Sequence, residues 1–357
     1  MHLNGQYTNM NSKKKIVFIV NPISGAQNKK GITRKIREYI NKDIYDYRII
    51  ATQYAGHASV IAAEKVAEKA DVVVAVGGDG TINEVARSLI HTSTALGIIP
   101  CGSGNGLARH LQIPMDIKGA INILNDGIIT PIDYGKINGI PYFCTCGVGF
   151  DAFVSMKFAE SGKRGLVTYL ENTLLEGLRY KPETYEIENE DGTQRYQAFL
   201  ITCANASQYG NNAYIAPKAS LCDGLMDITI MEPFTMLDAA SISIQLFNGT
   251  IDQNSRIKTM RSKKIRIHRN KPGVIHYDGD PIMAEADLDI EIIEKGLNVV
   301  AKEPKEFIAG NTNIWQNIID SFHELKPIGN AIAEDIATRN RRLLIINKEF
   351  LRRLKKK

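Results

Sequence analysis

The sequence has little that would let cross-links or metal clusters organise it. Its 5 cysteines are an odd number and form no CxxC pair, which argues against a disulfide scaffold or a zinc ribbon. Cys144 and Cys146 lie one residue apart in an apolar stretch, a pattern of strand packing. The 7 histidines show no HxxxH or HExxH spacing, so zinc chemistry is not indicated. Aromatic residues make up 7% and are sparse around the basic cluster Arg261–Arg266, so nucleic acid is not an expected partner. No run approaches the ~18 apolar residues of a membrane span. The first 15 residues are polar and lack the apolar segment of a secretory signal. These absences point to a soluble or peripheral protein in a reducing cytoplasm.

Most of the chain also lacks excess charge. After residue 300 lie 12 Lys and Arg against 7 Asp and Glu, a net of +5, which equals the charge of the whole chain. Within that tail Leu343, Ile346, Phe350 and Leu354 share one helix face, with basic residues crowding the rest. Two readings stay open: a helix lying on an anionic membrane surface, or a helix packed on the protein core.

What is present is ordinary globular composition, 44% hydrophobic and 23% charged over 357 residues, enough for two domains. The first 130 residues alternate short apolar runs with helical spacing. Lys15–Val20, Arg48–Ala51, Val72–Val76 and Leu96–Ile99 are predicted strands. Lys29–Ile40, Ala58–Lys69 and Thr81–Ile90 are predicted helices. This order predicts a parallel sheet with helices on both faces. After Asp133 the texture changes. Asn138-Gly139 between Ile132–Ile137 and Ile140–Cys146 signals a hairpin. Strands are predicted at Thr184–Glu188, Tyr196–Ala204, Met226–Met231, Lys263–His268, Val274–Tyr277 and around Leu288–Ile292, and helices over Arg164–Arg179 and beyond Ile314. Residues ~140–300 therefore form a mainly antiparallel β domain.

Gly77-Gly78-Asp79-Gly80-Thr81-Ile82-Asn83-Glu84 follows the third strand and opens a helix. Glycines let backbone N–H groups approach a phosphate, and a helix N-terminus adds partial positive charge. Thr81 and Glu84 have capping-box spacing. Asp79 beside a polyphosphate would be repelled unless a cation lay between them, so it implies Mg²⁺, a proton-transfer role, or both. Pro100-Cys101-Gly102-Ser103-Gly104-Asn105-Gly106 is a second such turn after the fourth strand. Two turns at the C-terminal ends of parallel strands face one crevice. Neither is a P-loop, and Gly147-Val148-Gly149 lacks the acidic partner of a dinucleotide site.

Together with Asn21-Pro22-Ile23-Ser24-Gly25, these motifs stand in the order and spacing of the diacylglycerol kinase catalytic domain, and the chain resembles that family over residues ~13–300. The family includes soluble bacterial diacylglycerol kinases, YegS-like lipid kinases, and sphingosine and ceramide kinases. The resemblance implies an α/β nucleotide domain (1–135), a β-sandwich lipid-substrate domain (136–300) and a basic helical extension (301–357). It implies that ATP is held by Asn21, Ser24, Gly25, Thr52, Gly77, Gly78, Gly80, Thr81, Asn83, Glu84, Gly102, Ser103, Gly104 and Asn105. It places Asp79, Asp133 and Asp278 in an acidic Mg²⁺ network, and a metal loop at Asp223 with the carbonyls of Ser220 and Leu225. Asp223-Gly224 reads equally as a plain turn. Asp280 stands where the family has a general-base Glu, one methylene longer, with Asp79 as the understudy. Asn105-Gly106 is similar to the sphingoid-base and ceramide kinase side. His57 either positions nucleotide or simply starts a helix. The resemblance implies a lipid kinase, peripheral at the inner membrane face, with room for a homodimer. A soluble-substrate kinase of the NAD kinase type and an inactive nucleotide-binding regulator remain the alternatives.

Overall fold

The computed structural model describes residues 13–22, 29–161 and 180–302. Its N-terminal part alternates β1 (Lys14–Val20), α1 (Lys29–Tyr39), β2 (Tyr45–Ala51), α2 (His57–Ala67), β3 (Val72–Gly77), α3 (Asp79–Leu89) and β4 (Ala95–Pro100). The strands pair in parallel in the order β2-β1-β3-β4. β3 and β4 are buried along their whole length, because parallel strands are covered on both faces. That is why they read as unbroken Val, Ile and Ala runs. The short α4 (Gly106–His110) and α5 (Ile117–Asp126) complete this part.

The rest is antiparallel. β5 (Ile128–Ile137) turns into β6 (Ile140–Tyr142) through Asn138 and Gly139, both at positive φ, 49° and 80°. Two left-handed residues in a row make the tight hairpin that Asn-Gly predicts. A six-stranded sheet runs β12 (Ile257–Ser262), β11 (Met226–Met231), β10 (Leu200–Ala204), β7 (Thr145–Gly149), β14 (Gly273–Tyr277), β15 (Asp280–Ala284). It packs against the extension of the first sheet, β16 (Asp287–Ala301), β13 (Lys264–Arg269), β8 (Glu183–Asn189) and β9 (Gly192–Ala198). Ile137, Val148, Ile187, Ile201, Ile228, Ile267 and Ile290 fill the core between them. α6 (Phe150–Ser161) and α7 (Met236–Asn248) are helices in this part.

Three expectations need correction. Tyr196–Ala204 is two strands in different sheets, because the chain leaves β9, turns at Phe199 and enters β10. α7 was not anticipated; a Thr235–Asp238 capping box starts it. The Leu288–Ile292 strand continues to Ala301 through a bulge between Ile293 and Leu297. Its first half belongs to the sandwich, and its second half returns beside β4 at Val299. β16 therefore ties the two parts together. The helix expected at Arg164–Arg179, the one expected after Ile314, and the calls at Ser24 and Gly25 lie outside the described residues.

Candidate active site

The two glycine turns touch through their backbones. A Cβ built on Gly102 would meet Gly78 Cα at 2.7 Å, and one on Gly104 would meet Asp79 Oδ2 at 2.7 Å. Only glycine permits this approach. Asp79 closes it: its carboxylate accepts from Asn105 N and Gly106 N, both at 2.8 Å. Asn105 sits in the left-handed region and pairs its side-chain amide with both backbone groups of Gly102. Arg109 adds a bond to the Gly104 carbonyl.

The first turn of α3 is different. Its N-cap is Gly78, with no side-chain cap, and a Cβ on Gly80 would meet nothing within 4 Å. Thr81 does not cap this helix. It accepts from Asn21 Nδ2 at 3.0 Å, which joins the end of β1 to the turn. Nor does Glu84 reach back to its own N-cap. Its carboxylate accepts from Gly56 N and Ala58 N at 3.1 and 3.2 Å and so caps α2. The capping-box expectation fails because α3 begins at Asp79 with Gly78 as its N-cap, three residues earlier than a Thr81 cap requires. His57 is a helix-start residue: its Nδ1 accepts from Gln53 N, and its ring stacks on Tyr54. Thr52 and Asn83 are buried beside these turns, while Ser103 is exposed.

Each carboxylate of the expected acidic trio, Asp79, Asp133 and Asp278, is held by its own backbone donors. Asp133 is 1% exposed, and its two oxygens accept from Lys295 N at 2.7 Å and Gly224 N at 2.8 Å. It locks the β16 bulge and the loop before β11 onto β5. Asp278 and Gly279 form a second hairpin turn with positive φ, 50° and 86°. The Asp278 carboxylate accepts from Phe143 N, Cys144 N and Thr145 N at 2.8, 2.7 and 3.2 Å. Burial pushes it up to about 6, against the pull of those three donors and of Arg87. Asp278 lies near the glycine turns: burial, then Asp278 and Asp79, raise the Cys144 thiol.

The same turn delivers Asp280 to the head of β15, where it pairs across the strands with Tyr277. Its side chain is 58% exposed. Even so, desolvation by the surrounding protein pushes its carboxyl above the usual range; Arg87 and His276 oppose this, and Glu84 reinforces it. Arg87 of α3 was missed in the sequence. It follows Asp79 and Asn83 at helical spacing, which is the signal that could have found it.

Asp223 accepts from Leu225 N at 3.1 Å and pairs with Arg261. Ser220 Oγ accepts from Cys222 N. Among the described residues no group of three or more His, Cys, Asp or Glu is placed to share a metal ion. A second polar cluster, not foreseen, lies on the outer face of the six-stranded sheet. There Asp151 Oδ2 meets Thr202 Oγ1 at 2.7 Å, His276 Nε2 at 3.0 Å and Tyr209 OH at 3.3 Å.

Residues 15–137 match the diacylglycerol kinase catalytic domain. Residues 144–301 match the YegS C-terminal NAD kinase β-sandwich-like domain. A diacylglycerol kinase of Mycobacterium tuberculosis is 30% identical over 285 residues, 76% of this chain and 91% of the relative. The chain belongs to the diacylglycerol kinase family. A diacylglycerol kinase of Bacillus subtilis is 28% identical over 279 residues, 75% of this chain and 90% of the relative. A crystal structure of a diacylglycerol kinase from Bacillus anthracis shares the fold. It has a TM-score of 0.63 at 20% identity and covers 81% of this chain and 97% of that one. A kinase of this family thus carries the two glycine turns on its α/β part and the Asp278–Asp280 hairpin on its sandwich. Among the described residues no helix is long and apolar enough to cross a membrane.

Proposed function

We propose that the chain is an ATP- and Mg²⁺-dependent lipid kinase that phosphorylates the hydroxyl of diacylglycerol, or of a sphingoid base or ceramide. The observation that carries this reading is the uncapped first turn of α3 beside the interlocked glycine turns. Open backbone donors at a helix N-terminus suit a polyphosphate. Asp79 uses one lone pair of each oxygen on the second turn, which leaves acceptor capacity on both. Mg²⁺ asks for only one or two carboxylates beside phosphate oxygens and water, so Asp79 suits it. Bound ATP would supply the phosphoryl group, and Mg²⁺ would offset its charge.

The chain's own groups do the rest. Asp280 accepts the proton of the lipid hydroxyl, and its raised affinity for protons favours that task. Asp278 fixes the hairpin by its three backbone bonds. Asp133 fixes the junction from which β5 and β16 enter both parts. The tail, with its 12 Lys and Arg after residue 300, is proposed to hold the kinase on the anionic inner membrane face, where each basic group adds about 1 kcal/mol.

Labelled ATP with a panel of diacylglycerol, sphingosine and ceramide in vesicles, with and without Mg²⁺ and with NAD as control, tests the reading. Label in a lipid, dependent on Mg²⁺, supports it. Label in NAD alone points to the soluble-substrate kinase, and no transfer at all points to the inactive regulator.

A further inference from the structure

The second glycine turn is held from the sandwich side as well. After β10 the chain enters a loop whose first residues, 205–208, are buried. Gly210, Asn211 and Asn212 then follow at φ 115°, 49° and 62°. Three left-handed residues in a row are uncommon, because glycine alone enters that region freely and asparagine is among the few side chains that tolerate it. Such a backbone persists where its surroundings fix it. Tyr209 anchors the start of the stretch: its hydroxyl meets Thr202 Oγ1 at 2.6 Å and donates to Asp151 Oδ2 at 3.3 Å. Asn212 N, at its end, donates to Gln208 Oε1 at 3.1 Å.

This conformation lays the loop on Gly104. Asn211 N donates to the Gly104 carbonyl at 3.0 Å, and Arg109 Nε donates to the same oxygen at 3.0 Å. Arg109 Nη1 in turn donates to Asn212 Oδ1 at 3.1 Å. The other end of that peptide unit is the Asn105 N–H, which donates to Asp79 Oδ2 at 2.8 Å. One peptide plane is thus gripped on its carbonyl by the sandwich loop and on its amide by the acid of α3. A peptide unit is planar and stiff, so gripping both ends fixes its direction. Hydrogen bonds in series also polarise one another.

We infer that residues 210–212 are a positioning element of the nucleotide site, supplied by the sandwich: they aim the second glycine turn at the phosphates by holding the peptide between Gly104 and Asn105 against Asp79. With a nucleoside triphosphate as the ligand, this rests on the proposed kinase function; the grip on the peptide does not.

Gly210→Ala tests it. The new Cβ would meet Gly104 Cα and carbonyl carbon at 2.9 Å, which drives loop and turn apart. Gly192→Ala, in the turn between β8 and β9, is the control: its φ is 122° and its Cβ would meet nothing within 4 Å, so it carries a similar backbone cost without touching the glycine turns. The first readout is amide hydrogen exchange over residues 102–106 in the nucleotide-free protein. The second is ATP affinity by calorimetry, without Mg²⁺ or lipid. Gly210→Ala speeds exchange of the Asn105 and Gly106 N–H groups and weakens ATP binding about tenfold, the scale of one hydrogen bond to a charged group. Gly192→Ala changes neither. In turnover, Gly210→Ala raises KM for ATP and leaves KM for the lipid unchanged. Where Gly210→Ala does not fold, Asn212→Gly keeps the left-handed backbone and removes the acceptor of Arg109 Nη1; it speeds the same exchange and weakens ATP binding to a smaller extent. Faster exchange with unchanged ATP affinity makes the loop merely structural and overturns the inference. So does weaker ATP binding with unchanged exchange, since the loop then acts by another route, and so does no change in either. If the wild type binds no ATP at all, faster exchange upholds the grip on the peptide, and it is the kinase reading that falls.

Discussion

Asp79 caps the helix that begins at Gly106: one carboxylate oxygen accepts the Gly106 N–H at 2.8 Å, and the other accepts the Asn105 N–H at the same distance. The acid that looked out of place in a phosphate-binding turn is thus also the clasp that holds the second turn against the first. Negative charge at a helix N-terminus is favourable, so the clasp is stable before any nucleotide arrives.

Asp79→Asn should therefore cost more than a charge. An amide NH₂ would face a backbone donor, and an unmet buried donor costs ~1–3 kcal/mol. The expected outcome is a lower melting temperature with an unchanged circular dichroism spectrum, and transfer reduced by ~100-fold or more. Activity within a factor of ten of wild type would remove Asp79 from both roles.

The glycines of the two turns should separate by substitution. A Cβ on Gly102 would meet the Gly78 backbone at 2.7 Å, whereas one on Gly80 would meet nothing within 4 Å. Gly102→Ala should push the turns apart and lower thermal stability. Gly80→Ala should leave stability unchanged yet weaken nucleotide affinity, because the added methyl stands where a phosphate would approach. Differential scanning calorimetry and nucleotide titration check the pair. Equal stability of both variants would mean that the turns do not depend on their close contact.

His110, in the helix after the second turn, accepts the Ser207 N–H on Nδ1 at 3.0 Å. Burial pushes it down to about 4. A buried neutral histidine favours the folded state above the unfolded value near 6.5, and this contribution is lost as pH falls toward about 4. Denaturant unfolding should show the wild type losing stability between pH 6.5 and 4.5 by more than His110→Gln does. Parallel losses in the two proteins would show that His110 is not responsible.

Much of this was legible in the sequence, and the reasons differ by element. Val72–Val76 announced itself because a strand covered on both faces must be apolar throughout, and Gly77–Gly80 marked where it stops. Asn138-Gly139 and Asp278-Gly279 are both two-residue turns, because Asn or Asp followed by Gly tolerates consecutive positive φ. Phe199 was illegible: the run from Tyr196 to Ala204 suits a strand throughout, and only tertiary packing decides that it changes sheets. The role of Asp133 was equally hidden, since its partners Gly224 and Lys295 lie 91 and 162 residues away. Glu84 had a local partner by spacing and took a distant one, which no local rule could foresee.

Asp280 stands where the family resemblance implies a glutamate. Asp280→Asn should lower kcat by ~100-fold, the usual scale for a general base, with little change in stability because the side chain is 58% exposed. Asp280→Glu is the more telling variant. The added methylene extends the carboxylate by ~1.5 Å, and misplacement on the order of 1 Å matters in a catalytic geometry. Here the extension runs toward a guanidinium 3.9 Å away whose Nε and Nη2 make no hydrogen bond among the described residues. A glutamate would close on that fork in a bidentate pair, and a carboxylate so held is a weaker base. The expected outcome is a rate below wild type at neutral pH. Combining Asp280→Glu with Arg87→Lys, which removes the planar fork, should recover part of the loss. Full activity of Asp280→Glu alone would show that the acid side chain does not turn toward Arg87. In that case reach, and not the neighbouring cation, sets the position of the base.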